Sequence, residues 1–266
     1  MSVTSRKGRG CSGCLRILLA PLWVLLLAAP VEAGDAVRTI ARVKESIVAV
    51  GTFERTRSPA FQFRATGFAV GDGSLIATNA HALPALLDSE HRETLAIAIP
   101  SVGSELQIRE ARELVVDEGT DLALLKILGR PLPALKLADP DDVKEGQSVL
   151  FTGFPIGGVL GFSPATHRGM VAAVTPIAIP PGNSANLDPR VARRLTSGAF
   201  PVLQLDATAY PGNSGSPVYD PESGVVLGII NMVFVKGTKE AALTQPSGIT
   251  YAVPAKHLQA LLTKVR

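Results

Sequence analysis

Twelve short apolar runs, separated by turn-forming residues, constrain this chain more than any other feature. Six lie at Ile47–Phe53, Phe61–Val70, Leu75–Thr78, Thr94–Pro100, Glu105–Val116 and Leu122–Leu128. A stretch rich in Pro and Asp, Pro131–Gly146, follows. Six more runs then lie at Ser148–Gly153, Gly169–Ile179, Val202–Ala207, Pro217–Tyr219, Val225–Phe234 and Ile249–Val253. Runs of this length, bounded by Gly and Pro, read as strands, and Asp72-Gly73 between the second and third is a hairpin signal. The composition agrees, since 25 Gly and 20 Pro supply turns, and aromatics at only 5% leave Val, Leu, Ile and Ala to build the core. Two groups of six strands predict an all-β fold of two six-stranded antiparallel β-barrels, the first over about 45–130 and the second over about 146–254. Helical patterning is confined to the ends: Asp35–Lys44, and a C-terminal helix over Pro254–Val265 with Leu258, Leu261 and Leu262 in one stripe. No repeat of 20–50 residues is visible.

Residues 1–33 read differently. Arg6, Lys7, Arg9 and Arg16 give a basic start, Ile17–Val31 runs 15 residues without a charge, and Val31-Glu32-Ala33 places small residues at −3 and −1 of a cut after Ala33. That is the layout of a secretory signal peptide. Fifteen residues fall short of the roughly 20 that span a bilayer as a helix, so residues 34–266 are expected to be periplasmic or secreted, with no stable membrane span after cleavage. The alternative is an uncleaved anchor. Four cations and one anion leave with the leader, which takes a net charge of +3 to near zero. Charge therefore gives no reason to expect a nucleic-acid or membrane-surface partner. Cys11 and Cys14 leave as well, so the exported part has neither disulfide nor thiolate nucleophile.

Chemistry then falls to serine. A serine hydroxyl needs a base to take its proton, a carboxylate to orient that base, and donors for the oxyanion that forms. The tetrapeptide Pro-Gly-Asn-Ser occurs twice, ending at Ser184 and at Ser214. Ser214 lies between two strand runs. Gly212 before it can take a positive φ, and Gly215 after it lets other backbone approach closely. Ser184 lies in the polar stretch Pro180–Gly198, has no following glycine or strand, and reads as a plain turn in an exposed loop. Of four histidines, His91 stands among Asp88, Glu90, Arg92 and Glu93, His167 between Thr166 and Arg168, and His257 in the terminal helix. His81 alone follows a buried-looking strand directly. Asp121 opens the strand Leu-Ala-Leu-Leu-Lys-Ile, whereas Asp88 and Asp117 have more polar settings. Each of these has a plainer reading by itself: a structural histidine, a strand-end turn, a glycine turn.

Together they are recognisable. Ala65-Thr66-Gly67-Phe68, Thr78-Asn79-Ala80-His81, Asp121-Leu122-Ala123-Leu124 and Gly212-Asn213-Ser214-Gly215-Ser216-Pro217 occur in the order His, Asp, Ser. Gly153-Phe154-Pro155-Ile156-Gly157, Gln204-Leu205-Asp206-Ala207 and Tyr251-Ala252-Val253-Pro254 add to the pattern. The chain resembles the trypsin-like serine proteases of chymotrypsin fold, and within them the HtrA (Deg) branch. The resemblance implies a serine endopeptidase acting on proteins or peptides through an acyl-enzyme. His81 would be general base and then acid, Asp121 would hold its tautomer, and Ser214 would be the nucleophile. The oxyanion hole would be the backbone N–H groups of Gly212 and Ser214, with Asn213 as a further candidate.

The sequence departs from the branch in three places. Ser216 stands where a second glycine is usual, and Ala255–Arg266 leaves no room for a PDZ domain, so tail sensing in cis is not expected. Pro180–Gly198 reads as an insertion able to cover the cleft. The resemblance also places Thr208 at the base of the pocket for the residue before the cut, with Ile230, Asn231 and Met232 along its wall. With no acid at its base, that pocket disfavours Arg and Lys and suits small or medium apolar residues.

Two other readings compete. An α/β-hydrolase esterase needs the order Ser, acid, His, and the only histidine after Ser214 is His257. A protease fold kept as a non-catalytic or latent binding protein is the other alternative. There is no His-Glu-x-x-His, acidic calcium loop or phosphate loop, and no cofactor or metal is expected.

Overall fold

The computed structural model describes residues 35–100, 106–139, 143–157, 161–176, 200–231 and 248–265. The leader 1–33, Ser184 with the stretch Pro180–Gly198, and Met232 lie outside the described residues. The first half forms α1 (Asp35–Lys44), β1 (Ile47–Phe53), β2 (Phe61–Val70), β3 (Leu75–Asn79), β4 (Thr94–Pro100), β5 (Leu106–Asp117) and β6 (Leu122–Ile127). The second forms β7 (Ser148–Gly153), β8 (Ala165–Pro176), β9 (Pro201–Asp206), β10 (Pro217–Tyr219), β11 (Val226–Ile230), β12 (Ile249–Pro254) and α2 (Ala255–Thr263).

Each set of six closes into an antiparallel barrel. The strand order is β1-β2-β3-β6-β5-β4 in the first and β7-β8-β9-β12-β11-β10 in the second, the same topology used twice. Alternation along the strands fills two separate spaces. Val48, Val50, Ile76, Ile97 and Leu125 pack inside the first barrel, and Val149, Phe151, Leu203, Leu205 and Ile230 inside the second. The opposite faces of several strands meet in a third cluster between the barrels, where Phe68, Leu122 and Leu124 join Phe154, Tyr219, Ile229 and Val253. Phe63 of β2 stands edge-on to Phe154 and Phe162 at ring distances of 6.0 and 5.8 Å, a geometry aromatic rings prefer. The scarce aromatics are thus concentrated on the seam.

The connections bind the barrels further. Thr39 and Arg42 of α1 donate to the carbonyls of Glu222 and Ser223, at 2.8 and 2.6 Å, in the turn between β10 and β11. The linker reaches both barrels, since Leu135 N–H donates to Ala69 O and Ala138 N–H to Val226 O. The hairpin expected at Asp72-Gly73 is present, with Gly73 at φ +84° and the Asp72 carboxylate accepting from Ser74 N–H. One strand begins earlier than its apolar run: β8 starts at Ala165, not Gly169, because Thr166 and His167 pair with Thr152 and Phe151. The polar sequence Thr-His-Arg hides that start. His167 stacks on Phe151, with ring centroids 4.9 Å apart.

Candidate active site

β3 ends at Asn79, and the chain turns at once into one 3-10 turn, Ala80–Ala82, that carries His81. Arg64 of β2 braces this turn. A bulge pairs Val50 with Ala65 and Gly51 with Phe63, leaving Arg64 unopposed, and its guanidinium donates to Ala82 O at 2.6 Å.

Asp121 enters β6 in the left-handed region, at φ +59°, and is fully buried. Only a few per cent of non-glycine residues adopt that conformation, Asp and Asn among the most tolerant. A buried carboxylate must be surrounded by donors, and three are in place. His81 Nδ1 stands 2.6 Å from Oδ2, His81 N–H donates to Oδ1 at 2.9 Å, and the Asn231 amide donates to Oδ2 at 2.9 Å. The Asp121 carbonyl accepts in addition from Ala80 N–H and the Asn79 amide, each at 3.0 Å. An ionised carboxylate can only accept, so in the neutral imidazole the proton sits on Nδ1 and Nε2 is the acceptor.

Ser214 lies in the turn between β9 and β10, 6% exposed. Gly212 and Gly215 take φ of +101° and +83°. A Cβ at Gly212 would sit 2.2 Å from Phe154 O, and one at Gly215 would sit 2.0 Å from Thr66 O, so both positions require glycine. The turn is held from several sides. Thr66 N–H donates to Ser214 O, Gly215 N–H to Ile230 O, and Ile156 N–H to Pro211 O at 2.7 Å. Ile156 makes that contact from a left-handed φ of +52°. Asn213 N–H donates to Tyr210 O at 2.9 Å, which commits it away from any oxyanion. Among the described residues, neither Gly212 N–H nor Ser214 N–H has a protein acceptor, and no hydrogen bond joins Ser214 Oγ to the His81 ring.

The residues expected in the pocket divide. Thr208 is half-buried between Ala207 and Ala209, which pack with Ile230 in the core of the second barrel. Asn231, expected along the same wall, instead turns its amide onto Asp121. Successive side chains point to opposite faces of a strand, so with Ile230 inward Asn231 follows Ile229 toward the seam. The other histidines are elsewhere. His91 forms an exposed pair with Asp88 at 2.8 Å, and His257 of α2 packs on Phe200. Among the described residues, no three His, Cys, Asp or Glu side chains gather as a metal site would require, and no helix is long and apolar enough to cross a membrane. Sequence reasoning missed Arg64 and the amides of Asn79 and Asn231. Asn79 carried a signal, a polar residue between a strand and its histidine; Asn231 is 110 residues from its partner and carried none.

The family model described as a trypsin-like peptidase domain matches residues 65–229. Similar curated proteins include the "Probable periplasmic serine endoprotease DegP-like" of Pseudomonas putida, 30% identical over 190 residues, which are 71% of this chain and 32% of that protein. The protein of the same name from a Marinomonas species is 31% identical over 166 residues, 60% of this chain and 30% of its own length. The chain thus spans about a third of the length of the curated relatives it matches. Among solved structures, the HtrA-type protease AlgW with tripeptide is similar in fold, with a TM-score of 0.58 and 21% identity over 86% of this chain and 63% of that one. A match running from the second strand of the first barrel to the fifth of the second makes this chain a member of the trypsin-like peptidase family, with DegP-like proteins among its relatives.

Proposed function

We propose that this chain is an exported serine endopeptidase, residues 1–33 being its signal peptide and 34–266 its protease domain, and that His81, Asp121 and Ser214 carry the reaction. The observation behind this reading is the buried Asp121 carboxylate 2.6 Å from His81 Nδ1, which leaves Nε2 able to accept a proton. Ser214 Oγ attacks the scissile carbonyl carbon as its proton passes to Nε2. The charge that develops on the carbonyl oxygen is met by Gly212 N–H and Ser214 N–H. The C–N bond breaks, the amine leaves with the proton from Nε2, and the acyl chain remains as an ester on Ser214. Water then attacks that ester, gives its proton to Nε2, and the acid product departs as Ser214 recovers its proton. Asp121 stabilises the imidazolium in both halves.

Specificity follows from Thr208 at the pocket base, with the core residues Ala209 and Ile230 packed behind it. With no carboxylate among these three, an Arg or Lys side chain would be buried unpaired, and small or medium apolar residues are preferred before the cut. A peptide library tests both parts. Cleavage is expected after Ala, Val, Ile or Leu and absent in Ser214→Ala; a profile dominated by Arg or Lys would overturn the pocket assignment. A second reading, a latent protease, is favoured by one observation: no Ser214–His81 hydrogen bond forms among the described residues. Such bonds are often long before substrate binds, and a parent protein that hydrolyses peptides unaided removes this reading.

A further inference from the structure

Thr66 lies in β2 of the first barrel, 148 positions before Ser214, and is fully buried. All of its polar groups are directed at the site. Its N–H donates to Ser214 O at 2.9 Å. Its carbonyl accepts from the Thr78 hydroxyl at 2.8 Å, two residues before the turn that carries His81. Its own hydroxyl lies 2.7 Å from Gly212 O and 3.0 Å from Phe154 N. The direction of the last two bonds is forced. An amide N–H can only donate and a carbonyl can only accept, so the hydroxyl accepts from Phe154 and sends its single proton to Gly212 O.

We infer that the Thr66 hydroxyl is a positioning residue for the oxyanion-binding turn. Gly212 O belongs to the peptide that joins Gly212 to Asn213, and Ser214 O to the peptide that joins Ser214 to Gly215. Thr66 therefore fixes the peptide planes on both sides of the Asn213–Ser214 peptide, whose N–H is one of the two donors. The second donor, Gly212 N–H, is linked to the clamped Gly212 carbonyl through one residue held at φ +101°. The Pro211–Gly212 peptide, which carries that N–H, is held from its other side by Ile156 N–H on Pro211 O. Without the hydroxyl, Gly212 O and Phe154 N–H both lose a buried partner, and the turn gains a reason to rotate. A peptide rotated at Gly212 removes a donor from the oxyanion while leaving the substrate pocket in place. Thr66 touches no substrate atom and acts only through the turn.

The inference rests on the proposed peptidase reading. It is tested in the full chain with Thr66→Val, which keeps shape and loses the hydroxyl, and Thr66→Ser, which keeps the hydroxyl. The readouts are kcat and KM on one peptide, the rate of labelling by a fluorophosphonate probe, and Tm. Thr66→Val is expected to lower kcat and labelling by about 10- to 100-fold, below the 10²- to 10³-fold of a lost oxyanion donor, with KM within about twofold. Thr66→Ser is expected to stay within about threefold of the parent in kcat. A purely structural role would move Tm in both variants and would not separate kcat from KM. Should Thr66→Val fail to fold, Thr66→Ala takes its place in the same comparison. Equal labelling by the parent and the hydroxyl-less variant, or a Ser variant as slow as the Val variant, overturns the inference and leaves the peptidase reading intact. A folded parent that does not react overturns both.

Discussion

Asp121 shows how much one residue can be asked to do. It is buried, takes a left-handed φ, accepts through its carbonyl from Asn79 and Ala80, and holds His81 by two separate atoms. Replacing it with asparagine presents an amide whose NH₂ can face Nδ1 and select the wrong tautomer. Asp121→Asn is expected to lower kcat by about ten-thousand-fold, the scale of that change in a triad, measured on a peptide substrate; a loss below tenfold would remove Asp121 from the mechanism. Ser216 makes a second residue-scale prediction. A Cβ at Gly153 would sit 2.0 Å from Ser216 Oγ and 2.7 Å from Thr66 Oγ1. Gly153→Ala is therefore expected to cost about 1–3 kcal/mol by overpacking, and Ser216→Gly to return part of that loss in the double variant, read by urea unfolding. Additive losses would show that the two positions do not share this space. At this scale the sequence displayed His81, Asp121 and Ser214 as candidates, because each stands at the end of a strand or inside a glycine turn. It did not display what the side chains of Thr66 and Asn231 bind. Their partners lie 146 and 110 residues away, and local pattern carries no trace of such contacts.

Elements were legible where one face of a strand is apolar. α1, β1 and β2 have the bounds that their apolar patterning predicts. The apolar run falls short of β8 because the first residues of the strand are polar, yet their backbone completes the ladder to β7. The role of α1 was invisible in its own sequence. Its Thr39 hydroxyl donates to Glu222 O, and so fastens the helix to the turn between β10 and β11. Thr39 is itself only 3% exposed. Thr39→Val is expected to lower stability by about 1 kcal/mol with kcat/KM unchanged, since the turn between β10 and β11 lies at the far end of β10 from Ser214. An unchanged urea midpoint would show that this contact contributes nothing to docking the helix.

The whole molecule is one topology built twice, a fact with no counterpart in the sequence, where no repeat is visible. Topology follows from which faces are apolar and where turns fall, and many sequences meet those conditions. Burial also sets a property of the whole. The His167 imidazole is held below its ordinary value near 6.5 by burial, and His257 likewise by burial and then by Lys256. The unfolded chain therefore binds more protons than the folded one between each depressed pKa and about 6.5, and stability falls as pH drops through that window. His91 opposes this, because its hydrogen bond to Asp88 raises its pKa, but the pair is exposed and screened. The net expectation, measured as Tm from pH 8 to pH 5 in a Ser214→Ala background, is a decline below about 6.5 that His167→Phe makes shallower. A curve of unchanged slope in His167→Phe would show that this imidazole is protonated as readily in the fold as out of it.

Everything proposed for this site depends on Ser214 being an activated nucleophile. The most direct measurement is mass spectrometry of the protein after reaction with a fluorophosphonate probe, with the adduct mapped to a residue. One adduct on Ser214 is predicted, absent in Ser214→Ala and in His81→Ala, and retained in Ser184→Ala. An adduct on Ser184, or a folded parent carrying none, would remove Ser214 from that role.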